Sequence, residues 1–308
     1  MDRVLIGDNQ FFGINHMSEE RARAQAMRFR DTASIMEVLD AAYAEGIKTF
    51  MCTTHERIAE VCTHVRANRE RYPDYKFYPC MPYAHKYANA ATEHGVVGAI
   101  RSFLPEENTF AALLGGGISL ARKDLEGLAA LLIDAEMKMF AGLDTPVILL
   151  QNVATDFLLG LEFDEAFRIF AQHVRTRYRA EPGFITMNAP RLLARLEKLG
   201  IEDPIICTNI NKLGFRMCGG VAAYEELMTR GTCRLIAMSV FASGALTAQE
   251  ALEYVCRFPH IRSIVFGASG RSHIAQTKRL IDELISAAGN AAAQSVSHRP
   301  VTAGGDGG

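Results

Sequence analysis

The sequence predicts a (β/α)8 barrel. Three observations carry that expectation: eight short apolar, often β-branched runs, segments of helical period between them, and a length of 308 residues. A fold of this kind typically needs about 250 residues. A doubly wound sheet is the competing architecture, but no GxGxxG turn follows the first strand to support it.

In chain order, the expected strands are RVLIG from Arg3, IKTFMC from Ile47, YKFYPC from Tyr75 and PVILLQ from Pro146. They continue with GFITMN from Gly183, PIICTN from Pro204, CRLIAMS from Cys233 and IRSIVFG from Ile261. DTASIMEVLDAAYAEG precedes the second strand. It opens on an Asp/Thr cap, sets Ile35, Val38, Leu39 and Ala42 on one face and stops at Gly46. Further helices are expected in ARKDLEGLAALLIDAEMKMF, DEAFRIFAQHVRTRY, PRLLARLEKLG, GGVAAYEELMTRG, TAQEALEYVCRF and SHIAQTKRLIDELISAAG. Leu192, Leu193, Leu196 and Leu199 form an apolar stripe suited to lie on the sheet. Residues 85–122 are the least regular, and are expected to hold a helix or two and a mobile glycine segment, 115–117, over one end of the barrel. The domain expectation is one barrel over 1–289 and a small, polar, Gly-rich, disordered tail over 290–308.

Hydrophobic residues at 49% and charged residues at 22% exclude wholesale disorder. Lys plus Arg number 33 against 35 Asp plus Glu, a net charge of -2 that gives a nucleic-acid or membrane-surface binder no electrostatic footing. A small-molecule substrate is the expected partner, with oligomeric state left open. The seven cysteines, an odd number with no CxxC pair, read as reduced thiols. The opening MDRVLIGDNQFFG has polar and acidic residues where a signal peptide needs an apolar core, so a cytoplasmic protein is expected.

In a barrel, chemistry sits where strands end and loops begin. The first strand is followed by Asp8, Asn9, Gln10, Asn15 and His16, the second by Cys52, Thr53, Thr54, His55 and Glu56, and the third by Cys80, Tyr83, His85 and Lys86. Later strand ends give Gln151 and Asn152, then Asn188, then Thr208, Asn209, Asn211 and Lys212, then Ser239, and finally Ser269 and Arg271. Amides and hydroxyls dominate, which suits a polyhydroxylated or carbonyl-bearing ligand, although the same residue types also cap helices and tie down loops. His16, His55, Cys80 and His85 would suit zinc, but without an HxH or HxxxH pair that reading is the weaker one, and no metal ligand is assigned. VFGASGRSHI sets Gly267, Ala268, Ser269 and Gly270 between a strand and a helix with Arg271 nearby, a place for an anionic group at a helix start.

From about Pro146 to Leu280, GFITMNAPRLLARLEKLGIEDPIICTNINKLGF, RLIAMSVFASGAL and the closing VFGASGRSHIAQT resemble the corresponding segments of the aldo-keto reductase superfamily, and AAYAEGIKTFMCTTHERIAEV resembles its second-strand segment. The resemblance implies that barrel, a ligand at its C-terminal mouth and an NADP-linked reduction. The family's Asp-Tyr-Lys-His tetrad would fall at Met51, Glu56 beside His55, Cys80, and Gln151 or Asn152, so none of the four is retained. Asn188 and Gly267 to Ser269 stand where nicotinamide amide and phosphate would be held. Met238 replaces the Tyr that would stack on the nicotinamide, and His273, Gln276 and Thr277 replace the basic and amide positions of the last helix.

The first of three functional readings is a divergent enzyme performing acid-base isomerisation or elimination on a small polar, sugar-like or phosphorylated compound. The second is an NADP-dependent oxidoreductase with a substituted proton donor, and the third a catalytically silent ligand-binding barrel. The residues expected to carry chemistry are His55, Glu56, Cys80 and Gln151. Asn188, Ser239, Gly267, Ala268, Ser269 and Arg271 are expected to hold a cofactor, and Asn9, Gln10, His16, Asn209 and Lys212 a substrate.

Overall fold

The structure, a computed structural model, describes residues 1–13, 19–83 and 118–297. Its strands are β1 (Val4–Gly7), β2 (Thr49–Thr53), β3 (Lys76–Met81), β4 (Val147–Leu150), β5 (Glu181–Thr186), β6 (Ile205–Asn209), β7 (Arg234–Met238) and β8 (Ile261–Phe266). All pairs are parallel and the strands follow chain order around a closed barrel, with Leu5 of β1 opposite Val265 of β8 at the closure. The expected (β/α)8 architecture is the one found.

Alternation along each strand sorts the residues into two cores. Leu5, Met51, Tyr78, Cys80, Leu149, Ile185, Ile205, Cys207, Ile236 and Val265 fill the interior. Phe50, Phe77, Ile148, Phe184, Ile206, Leu235 and Ile264 face outward onto the helices. Gly183 belongs to this packing because a Cβ there would come within 2.7 Å of Leu149 and 3.2 Å of Ile205. At the opposite end from the mouth, Lys76 pairs with Asp2 and Arg234 with Glu181 and Asp203.

The helices are α1 (Glu19–Arg28), α2 (Thr32–Ala44), α3 (Glu56–Ala67), α4 (Ile118–Met137), α5 (Asn152–Gly160), α6 (Asp164–His173), α7 (Ala189–Lys198), α8 (Gly220–Arg230), α9 (Ala248–Cys256) and α10 (Arg271–Ser297). Asp31 caps α2 through its contact with the Ser34 N–H, and Leu192, Leu193 and Leu196 bury the stripe of α7. The helix expected through Tyr178 instead ends at His173 and continues as one wide turn over Val174–Tyr178. That turn lets both His173 and Tyr178 hydrogen-bond Asp134 of α4. α10 remains helical through Ser297, past the expected start of the tail, and 298–308 lie outside the described residues, as do 84–117 with their glycine segment. Among the described residues no helix is long and apolar enough to cross a membrane. All seven cysteines are free.

Tyr224 of α8 anchors the end of β5. Its buried hydroxyl donates to Met187 O at 2.9 Å and accepts from the Ala189 N–H at 3.3 Å. Tyr224→Phe takes away the hydroxyl that accepts the Ala189 N–H and leaves Met187 O only the Cys218 N–H, so urea unfolding should show a loss of about 1–3 kcal/mol.

Candidate active site

The chain leaves β1 directly into Asp8, whose side chain turns into the barrel mouth and is buried. One carboxylate oxygen, Oδ2, accepts both the Thr53 N–H and the Thr53 hydroxyl, each at 2.7 Å. Burial pushes the Asp8 pKa up, and the two Thr53 hydrogen bonds only partly offset that. Asp8 in turn helps to hold up its neighbours. Burial first, and then the Asp8 charge, raises the Tyr83 phenol, with Arg57 opposing. A buried acid with a raised pKa at the C-terminal mouth of a barrel is a candidate proton-transfer group.

His55 stands beside it as the residue capping α3. Its Nδ1 accepts the Arg57 N–H at 3.1 Å, which assigns the proton of the neutral ring to Nε2. The imidazole stacks on Phe12 at 4.2 Å and meets Tyr83 edge-on at 5.1 Å. Arg57 lies over the Phe12 ring at 5.0 Å and donates to the carbonyls of Phe11 and Phe29. Burial lowers the His55 pKa, assisted by the Arg57 charge and opposed by Glu56, so the ring is neutral at neutral pH.

A cleft of about 380 Å³ opens where β8 turns into α10. Gln10, Gln25, Phe241, Ala248, Gly267, Ala268, Ser269, His273, Gln276 and Thr277 are among the residues that line it. Gln10 Nε2 donates to Gly7 O at 2.8 Å, which fixes the amide, while its Oε1 is buried without a hydrogen-bond partner. Gln25 Oε1 is orphaned in the same way. Gln10 Oε1 packs directly against Gly267, where a Cβ would fall 2.4 Å from it and displace the amide. The cleft wall carries strain as well. Around Phe241, Ser239, Ala242 and Ser243 all have positive φ, at 53°, 46° and 60°, and such backbone gathers at ligand-binding sites.

No protein-family model and no curated protein matches the chain. Solved structures do. A protein from Pseudomonas aeruginosa described as an aldo-keto reductase is 13% identical, with 92% of this chain and 90% of that one covered at a TM-score of 0.58. MGS-M4, an aldo-keto reductase from a Medee basin deep-sea metagenome library, is 10% identical over 99% of this chain and 94% of that one, at 0.51. A Gox0644 variant in complex with NADPH is 8% identical over 93% and 89%, also at 0.51. The fold is that of the aldo-keto reductases.

On this barrel, the positions expected to carry the tetrad do something else. Met51 lies in the barrel interior opposite Tyr78, and Glu56 is exposed in the first turn of α3. That exposure does not suit the catalytic role expected of Glu56. Cys80 is no better placed for one: its thiol is buried in the interior, bonded to Tyr78 O, and driven well above the ordinary cysteine range by burial and then by Asp8. Gln151 does stand at the mouth, half-buried at the start of α5 with its N–H on Met81 O.

Of the expected cofactor residues, Gly267, Ala268 and Ser269 line the cleft. Arg271 does not, being mostly exposed and turned toward Glu45 at 3.7 Å. Asn188 caps α7 through the Arg191 N–H, and Ser239 shapes the strained turn after β7. Among the described residues expected to bind substrate, only Gln10 lines the cleft. Asn9 and Lys212 are exposed, and Asn209 is spent on Met187 Sδ and Arg216 O. His16 and His85 lie outside the described residues, and among those described no three His, Cys, Asp or Glu side chains gather to hold a metal. Asp8 and Tyr83 stand among the strand-end residues read from the sequence but were given no role there, and Phe12 and Gln25 were not singled out. Asp8 had a readable signal, as the carboxylate directly after the first strand's glycine, whereas Gln25 sits in a charged helix whose few apolar residues are small alanines and one methionine.

Proposed function

We propose that the chain is a nicotinamide-dinucleotide-dependent oxidoreductase that interconverts a small carbonyl compound and its alcohol. The observation that carries this reading is the five-residue run from Asp8 to Phe12. Asp8 and Phe12 serve the proton-transfer group at the mouth, while Gln10, between them, lines the cleft. Two adjoining sites sharing one wall suit two reactants held side by side. Isomerisation or elimination, the first expectation from sequence, would use the mouth and leave the cleft without a role.

The cleft residues are suited to a nucleotide. Gly267, which has no side chain, lines the cleft beside Ser269, Gln276 and Thr277, whose hydroxyl and amide groups offer donors and acceptors. When bound, the nicotinamide supplies or removes hydride. In the reductive direction protonated Asp8 delivers the proton toward the substrate oxygen, and in the oxidative direction its carboxylate takes it back. The Nε2–H of the neutral His55 ring and the Tyr83 hydroxyl, which burial keeps protonated, orient that oxygen and stabilise its developing charge.

Calorimetric titration with NADH and NADPH, followed by the loss of reduced-nicotinamide absorbance on a panel of small aldehydes and ketones, tests the reading. At least one dinucleotide should bind, and at least one carbonyl compound should be turned over. If neither dinucleotide binds, the reading fails.

A further inference from the structure

Arg57 has no part in the reaction as proposed, yet it touches most of what holds His55 in place. It lies half-buried in the first turn of α3. Its backbone N–H goes to His55 Nδ1 at 3.1 Å, and its guanidinium carbon lies 5.0 Å from the centre of the Phe12 ring on which the imidazole stacks. One terminal nitrogen donates to Phe11 O at 3.3 Å and the other to Phe29 O. Phe11 belongs to the turn after β1, which its own N–H closes on Asp8 O at 2.8 Å. Phe29 directly follows α1, and its ring meets Phe11 edge-on at 5.0 Å.

A planar guanidinium can reach two carbonyls through different nitrogens while its face rests on an aromatic ring, a combination that a point-like ammonium cannot reproduce. The loops after β1 and β2 are therefore joined twice, by Asp8 to Thr53 and by Arg57 to Phe11 and Phe12. The His55 stack depends on the second join, because Phe12 belongs to one loop and the imidazole to the other. Carbonyl partners also leave the Arg57 charge unneutralised. A protonated imidazole would put a second cation against the same ring, and two cations so placed repel. Burial first, and then the Arg57 charge, hold the His55 pKa down against the exposed Glu56. From the neighbouring loops, Tyr83 meets the imidazole edge-on as an uncharged phenol, and Asp8 acts with burial to keep that phenol protonated.

Resting on the role proposed for His55, we infer that Arg57 is a positioning residue of the mouth: by joining the loops after β1 and β2 it fixes the imidazole over Phe12, so that Nε2–H is presented to the substrate oxygen. It acts through His55 and through the turn that carries Asp8.

The test follows the His55 ring by NMR titration of the full chain, its signals assigned by their loss in His55→Asn, and needs neither substrate nor dinucleotide. Arg57→Met keeps the length of the stem but neither the charge nor the fork. Its imidazole should titrate at a higher pH than in wild type, and on a carbonyl compound that is turned over kcat should fall about tenfold with KM changed less than about twofold. Arg57→Lys returns the charge and one donor group, and should restore the wild-type titration and bring kcat back to within about threefold. Should Arg57→Met not fold, Arg57→Gln, neutral and still a donor, reads the same titration. A neutral variant that melts earlier while His55 titrates as in wild type would reduce Arg57 to a structural brace and overturn the inference. So would an Arg57→Lys protein whose imidazole titrates with the neutral variants. If the titrations behave as expected and no carbonyl compound is turned over, the placing of His55 by Arg57 stands and the oxidoreductase reading fails.

Discussion

Asp8→Asn is expected to lower kcat/KM by about 10²–10⁴ and, at neutral pH, to raise the melting temperature. The two effects have one cause. Asp8 is buried with Thr53 hydrogen bonds but with no cation among the groups that set its pKa, so the folded chain holds its proton more tightly than the unfolded chain does. Between the unfolded value, about 3.9, and the raised folded value, the native state binds more protons, and stability falls as pH rises. Above the folded pKa the whole penalty is present. Asn keeps an oxygen for the Thr53 N–H and hydroxyl and never ionises, so it escapes that penalty. The melting-temperature advantage of the variant should be absent below about pH 4 and should grow through the folded pKa of Asp8. In the wild-type protein, reduction should slow and oxidation quicken across the same interval. A variant that loses stability relative to wild type at neutral pH, or that keeps wild-type turnover, would remove Asp8 from the mechanism.

Asp8 is visible in the sequence as a strand-end residue, yet its role appears only in three dimensions, which separates the features of this protein that are written locally from those that are not. Val147–Leu150, and Ile205–Asn209 up to its final Asn, are β-branched or apolar because both faces are buried, and this can be read without knowing the neighbours. The α7 stripe and the α2 cap are equally local. The site depends on contacts distant in sequence: Asp8 acquires its character from Thr53, 45 residues away, and Gln25 from a cleft built at the other end of the chain. The strand-end rule brought His55, Gln10 and Ser269 into view, because barrel topology alone directs those positions to one face. It could not separate Asn188 and Asn209, which cap and tie loops, from Gln10, whose oxygen remains without a partner. Nor could it show that Cys80 turns into the interior instead of the mouth.

His55 offers the second large effect, and two substitutions divide its roles. Phe at this position preserves the ring stacked on Phe12 but lacks both the Nδ1 acceptor that caps α3 and the Nε2–H. Asn restores the cap, since a short amide is a favoured N-cap residue, but its side chain ends short of where Nε2 stands. If His55 serves only as a cap, His55→Phe should lose about 1 kcal/mol of stability and His55→Asn should behave as wild type in every assay. If Nε2–H stabilises charge on the substrate oxygen, both variants should lose about 10²–10³ in kcat with little change in KM. The pH dependence of stability gives a check that needs no substrate. Burial and Arg57 hold the folded pKa below the ordinary value of 6.5, so the unfolded chain binds the proton first as pH falls, and the folded state loses stability from about 6.5 down through the folded pKa. His55→Asn removes that loss, and the two unfolding curves should converge above pH 7 and separate below it. An imidazole that titrates at or above its ordinary value by NMR would mean that a charged ring occupies the mouth, and the neutral Nε2–H donor would have to be abandoned.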